Sequence, residues 1–158
     1  LKKRIFCLLA AALLLLAAVS ACAKQGGGKP ADVEKIADEI IRSVKFSDQM
    51  SALEKKTAVK LYGLDEADVA KAKVYESTGA TAEEVAAFEA KDEAAAKRIR
   101  AAAAERVEDQ KAAFADYQPR EMTKLKTPLL VQDGKYVLLV VADDISAARK
   151  VAGQYLTV

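Results

Sequence analysis

Apolar residues recur at helical spacing soon after Pro30. Val33, Ile36, Ala37, Ile40, Ile41 and Val44 form one stripe along a helix whose start Asp32 and Glu34 favour. Ser51-Ala52-Leu53-Glu54 has capping-box form and predicts a second helix ending at Gly63, with Leu53, Ala58 and Leu61 facing inward. The period then shortens. Lys71 to Ser77 reads as a strand centred on Val74 and Tyr75, Thr78-Gly79-Ala80 as a turn, and Glu83 to Ala90 as the returning strand. Ala86, Ala87 and the glutamates of that segment are also good helix formers, so its strand reading rests on the flanking turn. From Asp92 the spacing is helical again, with Ile99, Ala103, Val107, Phe114 and Tyr117 on one side and Pro119 as the stop. Residues 118–127 read as a linker. Pro128 to Gln132 and Lys135 to Ala142 are strands around Asp133-Gly134, a two-residue hairpin signal. Asp143-Asp144 caps a last helix with Ile145, Ala148, Val151, Ala152 and Tyr155 inward.

These elements predict an α+β fold. N-terminal helices precede two β-hairpin–helix (ββα) units, which build a small, mainly antiparallel four-stranded sheet packed by helices. A shift of 52 positions lays Val85 to Asp92 on Val137 to Asp144, and Ala95 to Ile99 on Ala147 to Val151, a faint internal echo. Val137 to Val141 is apolar without alternation, which predicts burial on both faces. The helices at 92–117 and 144–156 are expected on one face and the N-terminal helices on the other. A homodimer contact is the competing explanation for the second face.

The first residues follow a different logic. Lys2-Lys3-Arg4 precedes an apolar run from Ile5 to Val19, 15 residues long. A spanning helix needs about 20, whereas a signal-peptide core needs about 7–15. The run ends in Val19-Ser20-Ala21-Cys22, which resembles the lipobox of bacterial lipoproteins. That resemblance implies export, cleavage before Cys22 and fatty acylation of its thiol, palmitate being a typical chain. Val19, Ser20 and Ala21 would be the signal-peptidase recognition residues and Cys22 the lipidation site. An ordinary signal peptide cut after Ala21, or an uncleaved anchor, is the alternative. Ala23 to Lys29, with Gly26-Gly27-Gly28, reads as a flexible tether reaching roughly 15 Å. The expected organisation is a signal peptide at 1–21, a lipidated cysteine and tether at 22–29, and one α+β domain at 30–158. The expected location is the cell membrane, lipid-anchored on the extracytoplasmic face.

Charge and composition narrow the chemistry. The formal charge of +2 falls once Lys2, Lys3 and Arg4 are set aside, leaving 22 basic against 23 acidic residues. A near-neutral domain with mixed signs has no electrostatic footprint for nucleic acid. There is no histidine and no tryptophan, and the two cysteines are Cys7 and Cys22. Imidazole-based catalysis, thiolate metal sites and internal disulfides are therefore excluded from residues 30–158, and no cofactor is expected. Much of the 52% apolar fraction is alanine, which buries little area per residue, so the core must come from a few bulky segments.

Three stretches together resemble a known family: Leu61 to Val69, Val74 to Ala96, and Asp133 to Asp144. They are similar to Gram-positive, clostridia-like lipoproteins defined by domain of unknown function 4358. The resemblance implies an envelope location and a domain identity over most of residues 31–156, and it implies no catalytic residues.

Candidate sites remain in the carboxylates. Asp143-Asp144 reads as a helix cap, and Asp65-Glu66-Asp68 as the start of a helical turn, with a calcium site as its alternative. Thr78-Gly79-Ala80-Thr81 reads as a turn, with an anion cradle as its alternative. Lys97, Arg98, Arg100 and Arg106, interleaved with Glu105, Glu108 and Asp109, read as a solvated helix face. Tyr62, Tyr75, Tyr117, Tyr136 and Tyr155 read as core rims. The expected function is a non-enzymatic binding or interaction module at the cell envelope, meeting a protein, wall polymer or small ligand. A carboxylate-dependent hydrolase of envelope glycan and an accessory solute-binding lipoprotein are the alternatives.

Overall fold

The computed structural model describes residues 30–158. The leader, the Val19-Ser20-Ala21-Cys22 stretch and the glycine tether lie outside the described residues. Asp32 accepts hydrogen bonds from the Glu34 and Lys35 amides and opens helix α1 (Val33–Ser43), which buries Val33, Ile36, Ala37 and Ile40. Strand β1 (Ser51–Leu53) and helix α2 (Lys55–Leu61) follow. A 3-10 turn (Glu66–Asp68), capped by the Asp65 carboxylate, leads into β2 (Val69–Glu76) and β3 (Glu84–Ala90). The long helix α3 (Glu93–Tyr117) comes next, then a 3-10 turn (Pro119–Glu121) and α4 (Met122–Lys126). The hairpin β4 (Leu129–Asp133) and β5 (Tyr136–Val141) and helix α5 (Ile145–Ala152) complete the domain.

The α+β class holds, but the sheet has five strands rather than four, all antiparallel, in the order β1-β2-β3-β5-β4. The extra strand comes from the expected capping box. Ser51, Ala52 and Leu53 pair with Glu76, Tyr75 and Val74, and α2 begins only after Glu54, whose side chain makes no cap bond. Backbone pairing to an existing sheet edge outweighs a local cap worth about 1 kcal/mol. The expected linker at 118–127 is also corrected. It folds into a 3-10 turn and α4, and it buries Glu121, Lys124 and Leu125.

Alternation along the central strands divides the core. Val74, Ala86, Phe88, Val137, Leu139 and Val141 pack on one face beneath α2, α3 and Leu125 of α4. Val85, Ala87, Leu129, Val131, Leu138 and Val140 pack on the other, beneath α1 and α5. The expectation that the two C-terminal helices share a face is therefore wrong. At 25 residues, α3 is about 38 Å long and shares its face with α2 and α4, leaving α1 and α5 for the opposite one. Both faces of β5 are covered within the chain, which accounts for its uninterrupted apolar run without a second copy.

The internal echo has limited depth. A shift of 52 sends Val85 onto Val137, and these point to opposite faces of the sheet. It survives in the order of strand, cap and helix: β3 and β5 begin 52 positions apart, as do α3 and α5, and Asp92 accepts from the Ala95 amide at 2.7 Å and Asp144 from the Ala147 amide at 3.0 Å. One expected inward residue is corrected, because Tyr117 is 67% exposed as the last residue of α3.

Candidate functional site

The entry to the central strand β3 carries the least expected chemistry. Glu83 and Glu84 are 1% and 0% exposed, directly before the apolar run Val85 to Phe88. Buried carboxylates persist only where donors or cations meet them, and each glutamate has its own set.

Glu84 faces α2 and α3. The Tyr62 hydroxyl donates to its Oε1, while Arg106 Nε (3.2 Å) and Gln110 Nε2 (2.9 Å) donate to its Oε2. Arg106 Nη2 lies 3.1 Å from the same oxygen and 2.7 Å from Glu76 Oε1, so one guanidinium bridges two carboxylates. Burial pushes the Glu84 carboxyl above the ordinary range, against the pull of Arg106. Burial likewise pushes the Tyr62 hydroxyl well up, helped by the charge of Glu84. The Tyr62 ring stands edge-on to Phe88 at 5.1 Å, which fixes where its hydroxyl points.

Glu83 pins loops. Its carboxylate accepts from the Ser47 amide (2.9 Å), the Asp48 amide (3.0 Å) and the Thr81 hydroxyl (3.1 Å), and it pairs with Lys124 at 3.1 Å. Lys124, only 5% exposed, also meets Glu121 at 3.0 Å, and Glu121 accepts from the Ala82 amide at 2.9 Å. Burial opposes the charge on Lys124, but Glu121 and Glu83 hold its pKa above the usual lysine value. This cluster ties the segment after α1, the β2–β3 turn and α4 into one unit.

A cleft of about 400 Å³ opens between the β2–β3 turn and α3. Glu76, Thr78, Gly79, Thr81, Asp109 and Phe114 are among its walls, and Glu84, Arg106 and Gln110 form part of its lining. Gln110 is 7% exposed, and its Oε1 is buried without a hydrogen-bond partner.

Of the residues singled out in the sequence, Thr78, Gly79, Thr81, Arg106 and Asp109 meet at the cleft, whereas the two carboxylate clusters stay apart from it. Asp65 caps the first 3-10 turn through the Ala67 amide, while Asp68 is buried and bound by Arg98 at 2.6 and 2.8 Å and by Lys91 at 2.9 Å. Asp144 caps α5, and Asp143 lies 3.6 Å from Lys124. At the Thr78-Gly79-Ala80-Thr81 turn, the Thr78 amide and hydroxyl both donate to Asp48, and the Gly79 amide donates to Ser77 Oγ, so the first half of the turn is engaged within the chain. Arg106 departs from the expected solvated face by turning in to Glu84, whereas Lys97, Arg98 and Arg100 are exposed, Arg98 while also binding Asp68. Tyr62 is buried; Tyr75, Tyr136 and Tyr155 are half-buried, with the Tyr75 hydroxyl on Asp38 and its pKa pushed up to about 12 mainly by burial. Among the described residues, no group of three or more acidic, histidine or cysteine side chains is arranged to hold a metal ion.

Sequence reasoning missed Glu83, Glu84, Gln110 and Lys124. One signal was present: two adjacent glutamates opening the central strand of a sheet. Apart from Thr81 beside Glu83, the partners of the two glutamates lie 22 to 41 positions away, beyond any local pattern.

Residues 42–142, from the end of α1 to the end of β5, match the family described as a domain of unknown function (DUF4358). The chain belongs to this family. The match takes in the whole sheet, the glutamate pair and the cleft. No curated protein and no solved structure matches the chain.

Proposed function

We propose that this DUF4358 protein is a lipoprotein anchored on the outer side of the cytoplasmic membrane, with a domain that binds an envelope ligand without turning it over. The anchor rests on Lys2-Lys3-Arg4, the apolar run to Val19 and the Val19-Ser20-Ala21-Cys22 motif. Among the described residues no helix is long and apolar enough to cross a membrane. Two acyl chains suffice for stable anchoring where one does not.

One observation carries the binding reading. The buried carboxylates of the cleft are saturated by protein donors, while Gln110 Oε1 is left without one. A general acid or nucleophile must reach substrate with a free oxygen, and Glu84 has none to offer.

The hydrolase reading keeps one point in its favour. Glu84 and Glu76 are held near each other, as a carboxylate pair would be, and the Glu84 carboxyl is pushed up as a general acid requires. Arg106 stands between them, where a glycosidic bond would have to lie. The test is to incubate the acylated protein with purified wall polymer from its own cells. Co-sedimentation without release of soluble reducing ends supports binding. Release that disappears in Glu84→Gln establishes the hydrolase instead. Mass spectrometry of the cell-derived protein should show a diacylglyceryl adduct on Cys22, and Cys22→Ala should free the protein from membranes or leave it unprocessed. Membrane retention of Cys22→Ala at mature length would defeat the anchor.

A further inference from the structure

We infer that the free edge of β4 takes up an extended acidic peptide segment as an added strand, its carboxylates meeting Arg100 on one face of the sheet and Arg149 on the other. This surface shares no residue with the cleft at Glu84, so the inference goes beyond the binding reading above and does not rest on it. β4 ends the sheet on one side and pairs with β5 alone. The ladder fixes which of its backbone groups are left over. The Ala90 amide donates to the Lys135 carbonyl, so Tyr136, Leu138 and Val140, in alternation, turn their backbone groups towards β4. Asp133, Val131 and Leu129 are spent on them. The amides and carbonyls of Leu130 and Gln132 point outward, and among the described residues no hydrogen bond from elsewhere in the domain meets them.

Exposed edges are normally blunted by shortness, charge, proline or a bulge. β1, at the other side of the sheet, has three residues. β4 has five in unbroken register, and its one charged residue, Asp133, accepts from the Thr157 amide. A groove of about 610 Å³ runs along this edge, lined by Pro128 to Gln132, by Glu93 and Arg100 of α3 and by Arg149 of α5. Because α3 and α5 cover opposite faces of the sheet, their arginines flank any strand added there from both sides. Both are exposed and, unlike Arg98 and Arg106, neither enters an ion pair among the described residues. Against the carboxylate of Glu93 they leave the groove positive. An added strand sends alternate side chains to the two faces, so carboxylates an odd number of positions apart reach both arginines. Main-chain bonds to Leu130 and Gln132 would supply affinity and the arginines selectivity. A second copy fits less well. Antiparallel pairing of two β4 edges sets Arg149 of both copies on one face, where the groove has no acidic side chain to meet them.

The experiment uses the full acylated chain in detergent micelles, with empty micelles as the blank. The probe is an end-blocked peptide of about eight residues, threonine and valine with two glutamates an odd number of positions apart. It is titrated while the backbone amides are followed by nitrogen-15 NMR. Saturable binding is expected with a dissociation constant of roughly 0.1 mM. The Leu130 and Gln132 amides should shift and gain protection from exchange, whereas Leu129 and Val131, already bonded to β5, should keep the protection they have. The same peptide with every backbone nitrogen methylated should not bind, and its lysine counterpart should bind about tenfold more weakly. Arg100→Gln and Arg149→Gln, at exposed positions, should each weaken the glutamate peptide about threefold without changing the melting temperature. Equal binding of the glutamate and lysine peptides, binding of the methylated peptide, or saturation that leaves the Leu130 and Gln132 amides unshifted would overturn the inference. Protection of those two amides without peptide, rising with protein concentration, would assign the edge to a second copy and overturn it as well. Wall-polymer co-sedimentation is read separately. If it persists while the peptide titration fails, the binding module stands and this inference falls.

Discussion

Arg106 shows how one side chain holds a pair of elements together. It sits on α3 and reaches Glu84 at the start of β3 and Glu76 at the end of β2. Glu84 is fully buried, so removing its cation leaves a desolvated charge, a far larger loss than the net worth of the pair. Arg106→Met should cost about 3–5 kcal/mol in urea unfolding. Combining it with Glu84→Gln should recover a large part of that loss, because the charge that needed the guanidinium is gone. Additive losses in the double variant would show that Arg106 acts through packing alone. In the sequence, Arg106 reads as one more cation on a mixed-charge helix face. Nothing within four residues distinguishes it from Arg100, because what distinguishes it lies 22 positions upstream in Glu84.

At the scale of elements, local chemistry and tertiary pairing compete, and the outcome differs along the chain. The hairpin around Asp133-Gly134 forms where its turn residues place it, with Gly134 at a φ of 54° that a β-branched side chain would resist. The caps at Asp92 and Asp144 are equally local, since each carboxylate bonds an amide three residues ahead. Asp92→Ala and Asp144→Ala should each lower stability by about 1 kcal/mol in denaturant unfolding. A neutral result for either would mean that packing of that helix supplies the order attributed to its cap. Ser51 to Leu53 goes the other way, giving up a helical start for a place at the edge of the sheet. Three residues are too few for a period-2 pattern to register, so only the neighbouring strand reveals them.

For the whole molecule, the balance of protons follows from how the carboxylates are held. Hydrogen bonds from Arg98 and Lys91 hold Asp68 far below the ordinary range; the Thr78 hydroxyl does the same for Asp48 and the Ser146 hydroxyl for Asp144, to a smaller degree. Burial pushes Glu83 up, but the Ser47 amide and Lys124 leave it lowered on balance. For all four, the folded chain binds protons less readily than the unfolded chain. Their stabilisation is complete above the unfolded carboxylate range, near pH 4, and is lost as pH falls towards the folded values. Glu84 has the opposite sign, because its folded form takes up a proton at higher pH than the unfolded chain. The net expectation is a melting temperature that drops between about pH 5 and pH 3. Asp68→Asn should lower it at pH 7 and flatten that drop. A parallel displacement of the whole curve would show that Asp68 is not a main source of acid sensitivity.

Periodicity, turn residues and caps are properties of neighbouring positions, so the sequence alone determined α1, the β2–β3 and β4–β5 hairpins, the long α3 and the final helix. It also determined that β5 would be buried on both faces, since no polar side chain interrupts Val137 to Val141. Which helices cover which face, the fifth strand, the short helix α4 and the partners of Glu83 and Glu84 were decided only in three dimensions. The physical reason is range. A backbone turn or cap saturates its donors within a few residues, whereas a buried charge can be satisfied by any segment the packing brings beside it, and no local pattern records which one arrives.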